Sequence, residues 1–491
     1  MSVSLRADLT LIDGHLESGV VVHVGRDGRI EDIERRSRGE HKDPSVMTIT
    51  QDVSSIPTDF STSPRRGVHR LRNRILLPGF CNTHSHAFQR LMRGRTERRA
   101  PGRSGDDFWS WRSAMYRITQ NLEPEELEVV SRFAFMEMLR AGYTHVTEFH
   151  YVHNQQGGQP YEDASELSQR VLEAADTAGI GITMLRVGYQ RGGVGMAPSA
   201  GQRRFIDSSP EEYLRALEAT EVHAAPDARR PVLVGMAAHS VRALDETWLR
   251  ALASMSTEGD RLLHAHVSEQ PLELSQCLEE HGKHPVQALA DFGLLSDRFT
   301  AVHATHLVEG EAQLLGEAGA GVCICPTTER NLGDGLPALD ALLDAGVELS
   351  VGSDSQARID PFAELVALEY GERLRTGGRN CLVDAQGAVA PYLLQVGAQS
   401  GRRASGMAPG GIAIGERADL VSLDISGPAF AGVNSGADAE ASLLAAVAFT
   451  GHSNQVKDVW VGGRQVVEEG TMLRWESTLE EYRRVAQRIW S

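Results

Sequence analysis

One stretch decides how the rest of the chain is interpreted: Leu77-Pro78-Gly79-Phe80-Cys81-Asn82-Thr83-His84-Ser85-His86-Ala87-Phe88-Gln89-Arg90. Its first residues are apolar and typical of a β-strand, and Pro78-Gly79 interrupts the run before two histidines. Alternate side chains of a strand point to the same face, so His84 and His86 are expected to face the same way. Two such imidazoles supply half of a tetrahedral zinc site, although this spacing alone is more often found in plain surface or core histidines.

From Arg74 onward, short apolar strands alternate with amphipathic helices. The predicted strands are Ile75–Phe80, Thr144–Phe149, Gly181–Val187, Val232–Ala238, Leu262–Val267, Thr300–Ala304, Gly321–Cys325 and Val347–Gly352. Helical runs such as Pro124–Arg140 and Pro361–Arg375 lie between them. Repeated strand–helix units favour a parallel sheet covered by helices, and this number of units predicts a (β/α)8 barrel of the TIM type.

Both ends of the chain carry short β-like segments separated by turns. We expect them to form one small β-sandwich domain beside the barrel. The predicted division is residues 1–73 and 406–491 for this domain, with a terminal helix near Tyr482–Trp490, and residues 74–405 for the barrel. Residues 36–69 are rich in Ser, Pro, Asp and Arg, which predicts an exposed loop.

Composition excludes several classes of function. The formal charge is −17 and the pI is about 5.5, which argues against binding to nucleic acid or to an anionic membrane. No apolar run approaches the roughly 20 residues that cross a bilayer, and residues 1–20 do not resemble a signal peptide. Five scattered cysteines are typical of free thiols in a reducing compartment, so we expect a cytoplasmic protein.

In a (β/α)8 barrel the functional site lies at the carboxyl ends of the strands, so the polar residues at those ends are the candidates for this site. They are His84, His86, Glu148, His150, Tyr151, His153, His239, Arg242, His264, His266, Glu269, His303, His306 and Asp354. Any one of them is more often a helix cap or a core residue. Their coincidence at strand ends predicts a metal site.

The order H-x-H, H-x-x-E, H and S-D on such a barrel resembles the amidohydrolase superfamily, over nearly the whole chain. Within it, the chain is most similar to the formimidoylglutamate deiminase family. The pieces that carry this resemblance are His84–Arg90, Phe108–Arg112, Glu148–His153, Asn331–Gly335 and Leu368–Gly371. The resemblance implies an amidohydrolase-type barrel and, for the assembled protein, a homodimer.

The resemblance also implies one zinc ion per chain, bound by His84, His86, His266 and Asp354. Two-metal relatives bridge their ions with a carboxylated lysine on a barrel strand. The lysines of this chain are Lys42, Lys283 and Lys457, and all three lie outside the predicted barrel strands, which independently favours a mononuclear site. The same nitrogen and oxygen donors also accept Fe²⁺, Co²⁺ or Mn²⁺.

The chemistry expected from such a site is hydrolysis at an sp² carbon that carries nitrogen. A metal-activated hydroxide attacks this carbon, and Asp354 accepts or orients the water proton. Glu269 is the predicted general acid and base, and His303 the predicted donor to the oxygen that gains charge. His264 and His306 support the site or simply belong to the core, and we favour the core.

Arginines near the strand ends of an acidic protein indicate an anionic ligand, because a guanidinium matches a carboxylate. Arg112 and Arg242 come from different parts of the barrel, which suits the two carboxylates of N-formimino-L-glutamate, although a surface arginine is the alternative for Arg112. By resemblance, the substrate contacts are Gln89, Arg112, Tyr151, His239 and Arg242. The expected products are N-formyl-L-glutamate and ammonia, a step of histidine degradation.

Besides an N-acyl or cyclic-amide hydrolase, which the missing bridging lysine disfavours, two other functions remain open at this stage. The first is another mononuclear deaminase, acting on guanine, cytosine or a modified adenosine. The second, more remote, is a barrel that has lost catalysis and serves as a scaffold. The second is disfavoured because every expected ligand residue is present.

Overall fold

The structure is a computed structural model that describes residues 2–35, 67–99, 105–224, 227, 230–433 and 435–491. Residues 36–66 of the predicted exposed loop lie outside the described residues, as does Lys42. The strands are β1 Val3–Ile12, β2 His15–Ser18, β3 Val20–Val24, β4 Ile30–Arg35, β5 Val68–Pro78, β6 Phe80–Ser85, β7 Tyr143–His150, β8 Gly181–Gly188, β9 Val232–Ala238, β10 Leu263–Val267, β11 Phe299–His303, β12 Gly321–Ile324, β13 Glu348–Val351, β14 Leu420–Asp424, β15 Val456–Val461 and β16 Arg464–Val467.

The α-helices mostly fall between the barrel strands, as the alternation in the sequence predicts. They are α1 Phe108–Asn121, α2 Pro124–Ala141, α3 Glu166–Ala178, α4 Pro210–His223, α5 Glu246–Glu258, α6 Pro271–His281, α7 Pro285–Asp291, α8 Glu311–Glu317, α9 Pro326–Leu332, α10 Leu339–Asp344, α11 Pro361–Thr376, α12 Val389–Gln395, α13 Gly401–Ala404, α14 Ala439–Thr450 and α15 Trp475–Trp490. Among the described residues, no helix could span a membrane.

The barrel consists of the eight parallel strands β6 to β13, each paired with the next in chain order. The two ends of this sheet meet at their carboxyl edge, where Ser85 and Asp354 form a parallel bridge. The Asp354 N–H donates to the His84 carbonyl at 3.0 Å, and the His86 N–H donates to the Asp354 carbonyl at 3.1 Å. The predicted (β/α)8 barrel is confirmed.

The first barrel strand differs from the prediction. We expected it at Ile75–Phe80, but β5 ends at Pro78 in a second sheet, and the barrel strand β6 begins at Phe80. Pro78 has no N–H for a sheet ladder. A Cβ on Gly79 would lie 2.3 Å from Thr144 Cγ2, so the chain changes sheets at a residue that must be small.

The second sheet has the order β16-β15-β14-β5-β1-β3-β4, with β2 paired to β1, and it joins both chain ends. Along β5, Leu76 packs in a small core with Val22 and Trp460, whereas Ile75 and Leu77 pack in the core shared with the barrel. The predicted β-sandwich built from both ends is confirmed as a fold class. The numerical boundaries at residues 73 and 405 stay predictions.

The terminal helix α15 forms hydrogen bonds with the segment that follows His84 and His86. Tyr482 stacks on Phe133 of α2 at 4.1 Å between ring centroids. The Tyr482 hydroxyl donates to the Arg90 carbonyl at 3.0 Å, and Trp490 Nε1 donates to the Leu91 carbonyl at 2.9 Å. The end of the chain thereby stabilises the turn after His86.

Candidate active site

Three imidazoles converge at the carboxyl end of the barrel. His84 and His86 come from the end of β6, and His266 comes from β10. The Nε2 atoms of His84 and His86 are 3.2 Å apart, and those of His84 and His266 are 3.1 Å apart. All three side chains are buried.

The tautomers of two of these histidines are set by backbone carbonyls. His86 Nδ1 donates to the Phe149 carbonyl at 2.8 Å, and His266 Nδ1 donates to the His239 carbonyl at 3.0 Å. Burial lowers the pKa of all three imidazoles, that of His84 to about 3. They are therefore neutral, and the Nε2 lone pairs of His86 and His266 point into the same space.

This arrangement fits a cation with tetrahedral coordination. Zn–N bonds of about 2.0–2.1 Å at the tetrahedral angle place two nitrogens about 3.3 Å apart, close to the spacing here. Asp354 follows β13 and supplies a fourth donor, because its Oδ1 is 3.3 Å from His86 Nε2 and 3.6 Å from His84 Nε2. Its backbone has a left-handed φ of 44° and is held by the bonds that close the barrel.

A second cluster of ionisable groups adjoins the first. His303 Nε2 is 3.8 Å from Asp354 Oδ2 and 3.8 Å from Glu269 Oε1, and its Nδ1 is 3.2 Å from Glu329 Oε1. Burial opposes the charged imidazole, but Glu269, Glu329 and Asp354 raise the pKa of His303 well above its usual value. Burial raises the pKa of the Glu269 carboxyl. His303 is thus a hydrogen-bond donor, and Glu269 is suited to carry a proton.

Two arginines define the other side of the site. Arg242 donates through Nε to Glu273 at 3.0 Å, and its Nη2 is 3.5 Å from Glu269 Oε2. Arg112, on α1, donates to the Tyr189 hydroxyl at 2.8 Å, and among the described residues no carboxylate forms an ion pair with it. Arg112 is therefore a half-buried cation that forms no ion pair with a carboxylate among the described residues.

An aromatic side chain lies between the two arginines. The guanidinium of Arg112 is 5.5 Å from the Trp109 ring centroid, and that of Arg242 is 6.0 Å from it. Cation–π contacts of this kind orient both guanidinium groups without neutralising them. Trp109 remains 36% exposed, so it lies at the mouth of the site.

The remaining predicted contacts lie between these two sides. Gln89 Nε2 donates to the Tyr151 hydroxyl at 2.8 Å, and the buried Gln89 Oε1 has no hydrogen-bond partner. The His239 ring lies 5.0 Å from the His266 ring and 4.5 Å from the Tyr189 ring. The structure thus brings together all the residues predicted to bind metal, substrate or a catalytic proton.

Other polar residues at strand ends are not part of this group. His264 donates to the Ala404 carbonyl at 2.9 Å, and His306 donates to the Asp334 carbonyl at 2.7 Å. His153 donates to the Val187 carbonyl at 2.9 Å, and Glu148 accepts from the Ser85 hydroxyl at 2.5 Å. Each of these four side chains therefore has a hydrogen-bond partner within the protein, outside the two clusters described above.

Several residues of the site were not predicted as such from the sequence. They are Trp109, Tyr189, Glu273, Glu329 and Asp334. Tyr189 directly follows β8. A search for polar residues at the carboxyl end of that strand would therefore have found it. Trp109 is three residues before Arg112, a spacing that places both on one face of a helix.

The sequence and the fold are similar to those of known proteins. The sequence profile of the Amidohydrolase family matches residues 75–466. The chain is 41% identical over 407 residues to formimidoylglutamate deiminase of Pseudomonas aeruginosa, covering 82% of this chain and 87% of that protein. It is 28% identical over 404 residues to 8-oxoguanine deaminase of the same organism, covering 81% and 83%. A crystal structure of an amidohydrolase from Brucella melitensis superposes with a TM-score of 0.85 at 32% identity, covering all of both chains.

Proposed function

We propose a function from one premise, which is that this chain belongs to the amidohydrolase family and is a hydrolase acting on C–N bonds. It hydrolyses the formimino group of N-formimino-L-glutamate and releases ammonia and N-formyl-L-glutamate. One observation carries this choice of substrate: two arginines from different elements flank the candidate centre, and Arg112 has no carboxylate partner within the described part of the chain. One carboxylate of a dianionic ligand would supply the counter-charge that Arg112 lacks.

His84, His86, His266 and Asp354 would hold one zinc ion per chain. The Nε2 atom of His84 lies 3.2 Å from that of His86 and 3.1 Å from that of His266, and Asp354 Oδ1 lies 3.3 Å from His86 Nε2. Such an ion acts as a Lewis acid and lowers the pKa of a bound water toward about 7. Lys283 forms an ion pair with Asp291, and Lys457 lies in β15, so neither can bridge a second ion at this centre. Iron, cobalt or manganese would fit the same donors.

The side chains around this centre account for the proton movements. Asp354 Oδ2 accepts or orients the proton of the attacking water, and Glu269 passes a proton to the formimino nitrogen, which then leaves as ammonia. The overall reaction adds one water to the protonated formimino group H₂N⁺=CH–NH–R and gives O=CH–NH–R and ammonium, so atoms and charge balance. His303 donates a hydrogen bond to the oxygen as negative charge develops on it.

The arginine side would bind the two carboxylates of the substrate. Arg112 is free to pair with one carboxylate, whereas Arg242 already has Glu273 at 3.0 Å and turns only part of its guanidinium toward the site. Gln89 presents an unpartnered carbonyl oxygen that can accept an N–H of the ligand. Tyr151 and His239 fill the space between the arginines and the imidazoles.

The test is an ammonia-release assay with product identification. N-formimino-L-glutamate should yield ammonia and N-formyl-L-glutamate, whereas glutamate and formamide would overturn the proposal. N-formimino-L-aspartate, guanine, cytosine and a modified adenosine form the comparison set, and turnover of a base in preference to the formimino compound favours the rival deaminase. A purified chain without bound metal would favour the scaffold.

The wider setting belongs to the same proposal. We place the reaction in histidine degradation and the protein in the cytoplasm as a homodimer. All five cysteines are unpaired, which is typical of a reducing compartment. Light scattering after gel filtration would test the dimer, and a mass of one chain would overturn it.

A further inference from the structure

Asp334 is a buried carboxyl that the proposed mechanism does not use. It lies in the loop after α9, within the segment Asn331–Gly335. Its N–H donates to the Glu329 carbonyl at 2.9 Å, and its carbonyl accepts from His306. Its Oδ1 accepts a hydrogen bond from the Gln270 amide. Gln270 directly follows Glu269, and the charge of Glu269 acts on the Asp334 carboxyl, so Asp334 lies in the neighbourhood of the predicted proton carrier.

The second oxygen of this carboxyl has no partner. Asp334 is 4% exposed, and its Oδ2 is buried without a hydrogen bond. Leaving a buried polar group unsatisfied costs about 1–3 kcal/mol, and more for a charged group. Asp334 does not cap a helix with this oxygen, so the contacts within the protein do not explain why a carboxyl is placed here.

The surroundings oppose a negative charge at this position. Burial, followed by the nearby charge of Glu269, raises the pKa of Asp334 to about 9. The charge of His303 lowers this pKa only in part, so a further cation beside the carboxyl is needed to favour its ionised form. Other acids near the centre already have partners: Glu329 Oε1 accepts from the Cys325 N–H at 2.9 Å and pairs with His303, and Glu269 pairs with Arg242.

We propose that Asp334 Oδ2 binds the cationic formimino group of the substrate. The inference rests on the proposed function, because it needs a ligand with an amidine at the end opposite its carboxylates. A formamidine is protonated at neutral pH and presents N–H donors with a positive charge. The product carries a neutral formyl group, with an oxygen where the substrate had nitrogen. Asp334 thereby favours the substrate over the product and assists product release.

The experiment compares substrate and product in Asp334→Asn. Asparagine has the same shape, and its carbonyl oxygen can still accept from Gln270. We expect kcat/KM for N-formimino-L-glutamate to fall at least about 10-fold, as for the loss of a charge-assisted hydrogen bond. The inhibition constant of N-formyl-L-glutamate should change less than about twofold. The side-chain amide of the variant can donate a hydrogen bond to the formyl oxygen, as the neutral Asp334 carboxyl can. Gln270→Met should lower kcat/KM for N-formimino-L-glutamate by a smaller factor and leave the inhibition constant of the product nearly unchanged. It removes only the hydrogen bond that positions Asp334 Oδ1.

The control is Asp344→Asn, at the exposed end of α10, which should match the wild type. Melting temperature and metal content are measured for each variant, so that misfolding is separated from a change in recognition. Equal changes for substrate and product in Asp334→Asn, or no change, would overturn this inference and leave the deiminase proposal standing. If the wild-type protein does not turn over the formimino compound, both are rejected.

Discussion

Glu269 connects the metal-binding side of the site to the arginine side. Its Oε1 is 3.8 Å from His303 Nε2, and its Oε2 is 3.5 Å from Arg242 Nη2. Both oxygens are therefore positioned by cationic neighbours, and burial raises the pKa of this carboxyl. A carboxyl whose pKa is raised in this way is suited both to give and to accept a proton.

Glu269→Gln should lower turnover by about 10²–10⁴-fold, because an amide cannot transfer the proton. Bound metal should be retained, since Glu269 is not among the four predicted ligands. Ammonia release and elemental analysis measure the two effects, and the exposed Glu279→Gln on α6 is the matched control. Full activity of Glu269→Gln would remove this residue from its proposed role.

Arg112→Met should mainly weaken substrate binding, because it removes a cation that no carboxylate neutralises among the described residues. We expect KM to rise at least about 10-fold with a smaller change in kcat. Arg242→Met should lower kcat as well, because it also removes a partner of Glu269. Steady-state kinetics distinguishes the two patterns, with the exposed Arg250→Met as control. Identical KM and kcat changes for both variants would contradict this division.

For single residues, the position of polar side chains at the carboxyl ends of the barrel strands predicted which residues converge. It did not predict which of their polar atoms have no hydrogen-bond partner. His84, His86, His266 and Asp354 could be named from the motifs because barrel topology brings strand ends together. The unpartnered Oδ2 of Asp334 could not, because it depends on which neighbours fail to reach that atom. The contact of Trp109 with both arginines depends likewise on how α1 is tilted over the barrel.

Helix α1 delivers Trp109 and Arg112 to the site, and its first turn is fixed by one side chain. Asp107 accepts from the Trp109 N–H at 3.1 Å and the Ser110 N–H at 3.0 Å, and the Ser110 hydroxyl completes a capping box. The cap therefore holds the turn that carries Trp109, one turn before Arg112.

Asp107→Ala should raise KM for the substrate about threefold or more while lowering the free energy of unfolding by only about 1 kcal/mol. The reason is that fraying of this turn moves Trp109 and loosens the orientation of Arg112. Ser209→Ala, which removes the cap of α4, should cost similar stability without changing KM, because α4 carries no residue of the site. Kinetics and urea unfolding measure both variants. Equal effects on KM would mean that the cap of α1 has only a structural role.

The elements themselves were largely predictable, since buried parallel strands are continuous apolar runs. The exception is the first barrel strand, where the apolar run Ile75–Leu77 belongs to β5 and the polar run that follows belongs to β6. A run of apolar residues does not show which of two adjacent sheets it joins. The close approach of Gly79 to Thr144 that separates the strands is a tertiary contact.

Buried neutral histidines affect the stability of the whole molecule. His145 is hydrogen-bonded to the Thr183 hydroxyl at 2.9 Å, and His264 donates to the Ala404 carbonyl at 2.9 Å. Burial lowers the pKa of His145 to about 3 and that of His264 to about 4. Neither is a predicted metal ligand, so both act on folding independently of the ion.

The metal-free protein should lose stability as pH falls from about 6.5 toward 4. Below pH 6.5 these histidines take up protons in the unfolded chain but not in the folded one, so protonation favours unfolding. Each should contribute a loss of about 1.5 kcal/mol between pH 6.5 and 5. Urea unfolding at several pH values measures this loss, and His264→Gln should reduce it by one such share. The exposed His452→Gln is the control, and an unchanged pH dependence in His264→Gln would contradict the assignment.

The hydrogen bonds that close the barrel connect the ion to the fold. The Asp354 N–H and the His86 N–H form the bonds between the first and last strands, and both residues are also predicted ligands. Ion binding should therefore slow exchange of these two amide protons with deuterated water, and chelation should speed it. Amides in the middle of β8 should exchange equally slowly in both states. The exchange rates of these two backbone amides at the rim of the barrel would then show whether the protein has bound its ion.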